Sequence, residues 1–150
     1  MKDELELELA KQFPFMRRKE NIDEQKEKKG RIFDLYGAFG CEVGNGWYSV
    51  LYGLCDEITK AYDKTGAKVD IIPIQIKEKF GELCFYYEIS NNNPSLHKTI
   101  DDIVEKWEEE STTVCERCGQ PGQLRKDLPW VLTLCDECYE QQKSKYKNRE

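Results

Sequence analysis

The stretch Gln75-Ile76-Lys77-Glu78-Lys79-Phe80-Gly81-Glu82-Leu83-Cys84-Phe85-Tyr86-Tyr87 decides the fold. From Val69 to Glu78 the residues alternate, with Ile72, Ile74 and Ile76 on one face and Gln75 and Lys77 on the other. From Glu82 to Ser90 they alternate again, Leu83, Phe85, Tyr87 and Ile89 against Glu82, Cys84, Tyr86 and Glu88. Phe80-Gly81 marks a tight turn between them, so the segment reads as an antiparallel hairpin with one apolar face. A strict period of two puts the large side chains on a single side, and that side must be covered.

The cover lies just before the hairpin. Trp47, Val50, Leu51, Leu54, Cys55, Ile58, Ala61 and Tyr62 fall in one helical stripe, which predicts a helix from Trp47 to Lys64. Asn45 is its expected N-cap and Gly66 its expected C′ residue. Cys55 lies in the stripe and reads as a core thiol. After the hairpin, Asn93 caps and Pro94 starts another helix. Leu96, Ile100, Ile103, Val104 and Trp107 form its inner face, and Asp101, Asp102, Glu105, Glu108, Glu109 and Glu110 an acidic outer one. Upstream, residues 32–46 are punctuated by Gly37, Gly40, Gly44 and Gly46 and read as short, bent strands or loops. Leu5, Leu9 and Phe13 predict a short first helix ended by Pro14, although Leu5-Glu6-Leu7-Glu8-Leu9 also fits a strand. Arg17 to Arg31 is almost wholly polar and reads as a solvated loop or frayed helix.

The C-terminal part carries the sharpest chemical signal. Cys115-Glu116-Arg117-Cys118-Gly119 is followed by Cys135-Asp136-Glu137-Cys138. Each CxxC makes a knuckle whose two sulfurs reach one metal, and the interval between the pairs suits a returning hairpin. The expectation is one structural Zn2+ held by Cys115, Cys118, Cys135 and Cys138, with iron in the same tetrahedral sulfur set as the runner-up. Four protein ligands leave no open position, which argues against a catalytic metal. The remaining cysteines, Cys41, Cys55 and Cys84, lie among apolar neighbours, and metal rather than disulfides explains the pattern.

The fold expected is therefore α+β: a small antiparallel sheet covered by two helices, with a C-terminal four-cysteine zinc ribbon. Residues 1–29 would be a helix and charged linker, 30–112 the core, and 113–150 the ribbon and a charged tail. The polar, acidic N-terminus does not read as a secretory signal, and no apolar run approaches the ~18 residues of a membrane span. The net charge of −6 is uneven: residues 30–112 hold 8 basic and 15 acidic side chains, while residues 113–150 hold 7 and 6. The central region has the wrong sign for a phosphate backbone and suits a basic partner.

Against this stands a nucleic-acid-binding ribbon, for which Arg117, Arg125, Lys126, Trp130 and the tail lysines supply charge and a stacking ring. A third reading is an enzyme with a concave pocket around Trp47, Lys77 and Lys79. Trp47, Lys77, Lys79, Tyr86, Arg125, Lys126 and Trp130 are thus the candidate binding residues. Nothing selects a catalytic set: the single histidine, His97, has no partner by spacing, and no phosphate-loop, dinucleotide or HExxH motif occurs.

Gly44-Asn45-Gly46-Trp47, the segment Gln75–Tyr87 and Cys115-Glu116-Arg117-Cys118-Gly119-Gln120-Pro121-Gly122 together resemble a family of small, mostly uncharacterised bacteriophage and prophage proteins. Its members read roughly GDGW, then VKEKFGxLRFYY, then CxxCGAPG before a second ligand pair. The resemblance spans about residues 36–140. Cys84 stands where the family often has Arg, and the second pair is Cys135 and Cys138 where the family often has Cys-x-x-His. The closed metal site, the lack of a catalytic set and the acidic central region point to action by binding a host or phage protein, such as a host nuclease or defence complex. The resemblance implies a phage or mobile-element accessory protein in a bacterial cytoplasm. It implies no reaction.

Overall fold

The computed structural model describes residues 1–18 and 34–149. The charged stretch Arg17–Arg31 lies outside them except for Arg17 and Arg18, as do Phe33 and Glu150. The fold is α+β, with helices α1 (Asp3–Gln12), α2 (Leu35–Phe39), α3 (Tyr48–Thr65), α4 (Pro94–Ser111) and α5 (Asp136–Lys147). Strands β1 (Cys41–Glu42), β2 (Ile72–Lys79) and β3 (Glu82–Glu88) form one sheet, and β4 (Gln123–Arg125) and β5 (Leu132–Leu134) a second. The hairpin β2–β3 is antiparallel, and β1 adds to β2 in parallel through Cys41 and Glu42 opposite Ile76 and Lys77.

The stripe predicted for α3 is buried from Trp47 to Tyr62. Gly66 ends the helix in the left-handed conformation, φ 68°, with its N–H on the Asp63 carbonyl. Asn45 is not the cap. It opens a 3-10 turn (Asn45–Trp47), and its Oδ1 accepts from the Lys2 N–H at 2.8 Å. On α4, Asn93 does cap, accepting from Leu96 N–H at 3.1 Å. The two long helices meet at Gly53, where a Cβ would fall 2.3 Å from the Trp107 ring. That ring could not lie so close to a larger residue, and its Nε1 donates to Glu57 at 2.8 Å.

Two expectations change. Within β2 the alternation breaks between Pro73 and Gln75, where the register shifts. Proline cannot donate to the ladder and is tolerated at such a bulge. In consequence Ile71 and Ile76 are buried while Ile72 is 49% exposed, so the three isoleucines do not share one face. Residues 35–39 are helical, with the Asp34 side chain accepting from Gly37 N–H at 2.9 Å. The first segment is a helix, as its composition favours, with Leu9 and Phe13 inside and Leu7 outside. Its Glu6 accepts from Cys41 N–H at 2.6 Å and pairs with Arg18 at 3.3 Å, tying α1 to β1.

Strand β3 is an edge whose outward N–H groups are occupied from α4. Leu83 N–H donates to Ser111 Oγ at 2.9 Å and Phe85 N–H to Glu108 at 2.9 Å. An unpaired edge invites pairing with another chain, and these two side chains block it. Glu108 therefore belongs to the seam rather than to the acidic outer face. Burial pushes its carboxyl above the usual range, despite the Phe85 donor.

Candidate metal centre

The first knuckle is a tight turn: Gly119 N–H donates to the Cys115 carbonyl at 2.9 Å, and Cys115 N–H to the Gln120 carbonyl at 2.8 Å. Strands β4 and β5 pair antiparallel and carry the chain to Cys135. Cys135 is the N-cap of α5, its Sγ accepting from Cys138 N–H at 3.4 Å.

All four Sγ atoms of Cys115, Cys118, Cys135 and Cys138 lie within 4.8 Å of one another, so the cluster can hold a metal ion. The Cys118–Cys135 separation is 3.6 Å. A tetrahedron with metal–sulfur bonds of ~2.3 Å has edges of about 3.8 Å. The donor set, four sulfurs within 4.8 Å of one another, suits zinc and suits iron. Burial raises the Cys115 thiol, but the amides of residues 117, 118 and 135 that point at it prevail and bring it down to about 7. The cluster thiols do not shift together, since burial pushes Cys138 up. Outside the cluster, burial pushes Cys41 up to about 12 and holds Cys55 well above its ordinary value. Those two are inert core residues.

The knuckle is docked on the Gly44-Asn45-Gly46-Trp47 segment. Gly46 N–H donates to the Glu116 carbonyl at 2.7 Å, Gly44 N–H to the Glu116 carboxylate at 3.0 Å, and Trp47 Nε1 to the Val114 carbonyl at 2.8 Å. A Cβ on Gly46 would stand 2.1 Å from the Cys115 carbonyl oxygen, and one on Gly44 2.3 Å from that of Glu116. Both glycines are required by the approach of the metal knuckle. Burial raises the Glu116 carboxyl, opposed by the Gly44 donor. On the far side of the ribbon, Thr133 is fully buried and donates to the Gly81 carbonyl at 2.6 Å.

No family model, curated protein or solved structure matches the chain. The site must be read from its own residues.

The candidate binding residues separate into two groups. Trp47 is completely buried, so its ring serves the core and the ribbon dock rather than a ligand. Arg125 is also committed, donating to the Leu134 carbonyl at 3.1 Å and to Asp136 at 2.7 Å, with its guanidinium 4.3 Å from the Tyr139 ring centre. It ties β4 to the start of α5 and is not a free hand for phosphate. Lys77, Lys79 and Tyr86 lie on the hairpin, Lys77 over the Tyr86 ring and Lys79 over that of Phe80. Lys126 and Trp130 are exposed on the ribbon. The pocket anticipated around Trp47, Lys77 and Lys79 does not form, because the indole points inward and the lysines stand on the hairpin surface. His97 contacts the Asn91 carbonyl at 2.6 Å beside an open groove. Sequence reasoning missed Glu116 and Phe80. In the linear chain Glu116 reads as one more knuckle spacer, and Phe80 as a mere turn marker.

Proposed function

We propose that the protein acts by binding, as an accessory protein of phage or prophage descent in a bacterial cytoplasm, with one structural zinc ion in the four-cysteine cluster. The observation that carries the reading is the dock between knuckle and Gly44–Trp47. A metal so placed fixes the position of a ribbon against the body and makes one rigid surface of both. Its shell is filled by sulfur, which suits structure rather than chemistry.

The partner that fits is a basic protein, for example a host nuclease or defence complex. Asp101, Asp102, Glu105, Glu109 and Glu110 are exposed along α4. Among the described residues only Asp102 of these five forms an ion pair, with Lys98 of the same helix at 3.0 Å. Such a ridge can occupy a surface built for nucleic acid.

The test is capture on the immobilised, metal-loaded protein from bacterial lysate, repeated with Glu105→Gln/Glu109→Gln. A basic, nucleic-acid-handling protein retained by the parent and lost from the variant supports the reading. No retained protein, or one held equally by both, sinks it. Elemental analysis decides between zinc and iron, and an iron–thiolate site would also be coloured.

The second reading is contact with nucleic acid. The lysines on the hairpin surface favour it, whereas the engagement of Arg125 removes one of the residues on which a ribbon-centred version drew, leaving Arg117, Lys126, Trp130 and the tail.

A further inference from the structure

Phe80 and Gly81 form the two-residue turn between β2 and β3, with φ of 52° and 79°. Two positive φ values mark the type I′ hairpin turn, for which Asn-Gly is the favoured pair. A bulky side chain at positive φ is strained. Phe80 gains no burial in return, since it is 73% exposed. Strain of this kind gathers at binding sites, where a side chain must be held in a set direction.

A second observation concerns charge. The Lys79 ammonium lies 5.8 Å from the Phe80 ring centre, and the Lys77 ammonium 5.8 Å from that of Tyr86, itself 45% exposed. Among the described residues neither lysine forms an ion pair. The ribbon abuts the turn: a Cβ on Gly81 would meet Leu124 and the Leu132–Thr133 backbone. The loop between β4 and β5 carries exposed Lys126 and Trp130, the indole 72% exposed.

We propose that this surface binds single-stranded nucleic acid, Phe80, Tyr86 and Trp130 stacking on bases and Lys77, Lys79 and Lys126 meeting phosphates. Exposed rings beside cations match a polyanion that presents flat π-faces, and only unpaired bases present them. A purely apolar protein partner would leave those cations unpaired at a drying interface, which is costly. Glu42 stands in register with Lys77 and Glu82 with Lys79. The carboxylates temper the charge, so stacking carries most of the affinity. This site is separate from the acidic ridge of α4 and does not depend on the protein partner proposed for it.

The test is fluorescence anisotropy of labelled oligo(dT), oligo(rU) and a duplex of equal length, titrated at low salt with the full chain, its metal content confirmed. A single strand should bind at least about tenfold tighter than the duplex, and the two strands report whether DNA or RNA is preferred. Three phosphate contacts imply a shallow salt slope of about −2. Phe80→Asn and Trp130→Ser should each weaken binding about five- to one-hundred-fold. Phe80→Asn should leave Tm unchanged or raised, because Asn-Gly suits the turn, so its lost binding cannot be unfolding. Lys79→Gln should reduce the salt slope by about 0.7. Absence of binding by both strands at low salt, preference for the duplex, or unaltered affinity in Phe80→Asn overturns the proposal. Glu105→Gln/Glu109→Gln should bind the strands as the parent does, so failure here leaves the reading of the acidic ridge standing.

Discussion

Among the described residues the helix–hairpin body gathers twenty-one buried ones into one cluster, whereas the ribbon's own cluster is Cys115, Leu128, Leu134 and Cys138. Two of those four belong to the four-cysteine cluster that can hold a metal. Apolar burial drives folding in rough proportion to area, at about 25 cal/mol per Å2. The body can organise itself on that force, and the ribbon cannot. A metal held by the four cysteines would supply there what a core supplies elsewhere. The two regions are nevertheless joined, because the knuckle seats the segment that opens α3. Loss of metal should then reach the body.

Metal removal tests this most severely. Chelation, or Cys138→Ser, should remove on the order of 10 kcal/mol from the ribbon and also lower the melting temperature of the helical body, followed by circular dichroism. A helical transition indifferent to the chelator would show the two regions to be separate. Gly46→Ala should cost about 3 kcal/mol in urea unfolding, the upper end of overpacking, because backbone atoms of the knuckle crowd the new methyl. Metal content that stays full in that variant would place the damage in the dock rather than in the site.

Smaller effects sharpen the seam. Thr133→Val keeps the shape but leaves the Gly81 carbonyl without its donor, at a cost of about 1–3 kcal/mol in the same assay. The body has a polar tie of its own at Asp70, which accepts from Tyr62 at 2.6 Å, Ser90 at 2.8 Å and Asn91 at 3.1 Å. Burial opposes ionisation there, but the three donors prevail and hold the carboxyl at about 2. Its folded value lies below its unfolded one, so the stabilisation is complete above the usual carboxylate range and is lost as pH falls toward 2. Asp70→Asn should flatten part of the loss of stability between about pH 5 and pH 2. An unchanged acid limb would remove Asp70 from the account.

Much of this was legible locally. The α3 stripe, the Asn93-Pro94 start, the Phe80-Gly81 turn and the cysteine spacing each depend on neighbours a few residues apart, and periodicity or turn chemistry reports them directly. The engagement of Arg125 was not legible, because charge on a ribbon looks free until its partners, Leu134 and Asp136, are placed in space. Pro73 carried a signal for the bulge, but the alternation around it was the stronger pattern.

By itself the sequence determined the α+β class, the hairpin, the two long helices and the four sulfurs that converge, because helical and strand periods and ligand spacing are short-range properties. Only the tertiary structure decided that the knuckle rests on Gly44–Trp47, that Glu108 and Ser111 close the β3 edge, and that Phe80 and Trp130 remain in water while Trp47 does not. Those outcomes join residues far apart in the chain, as Gly46 and Glu116 are. Close approach of distant backbone is a matter of steric room, which no local pattern records.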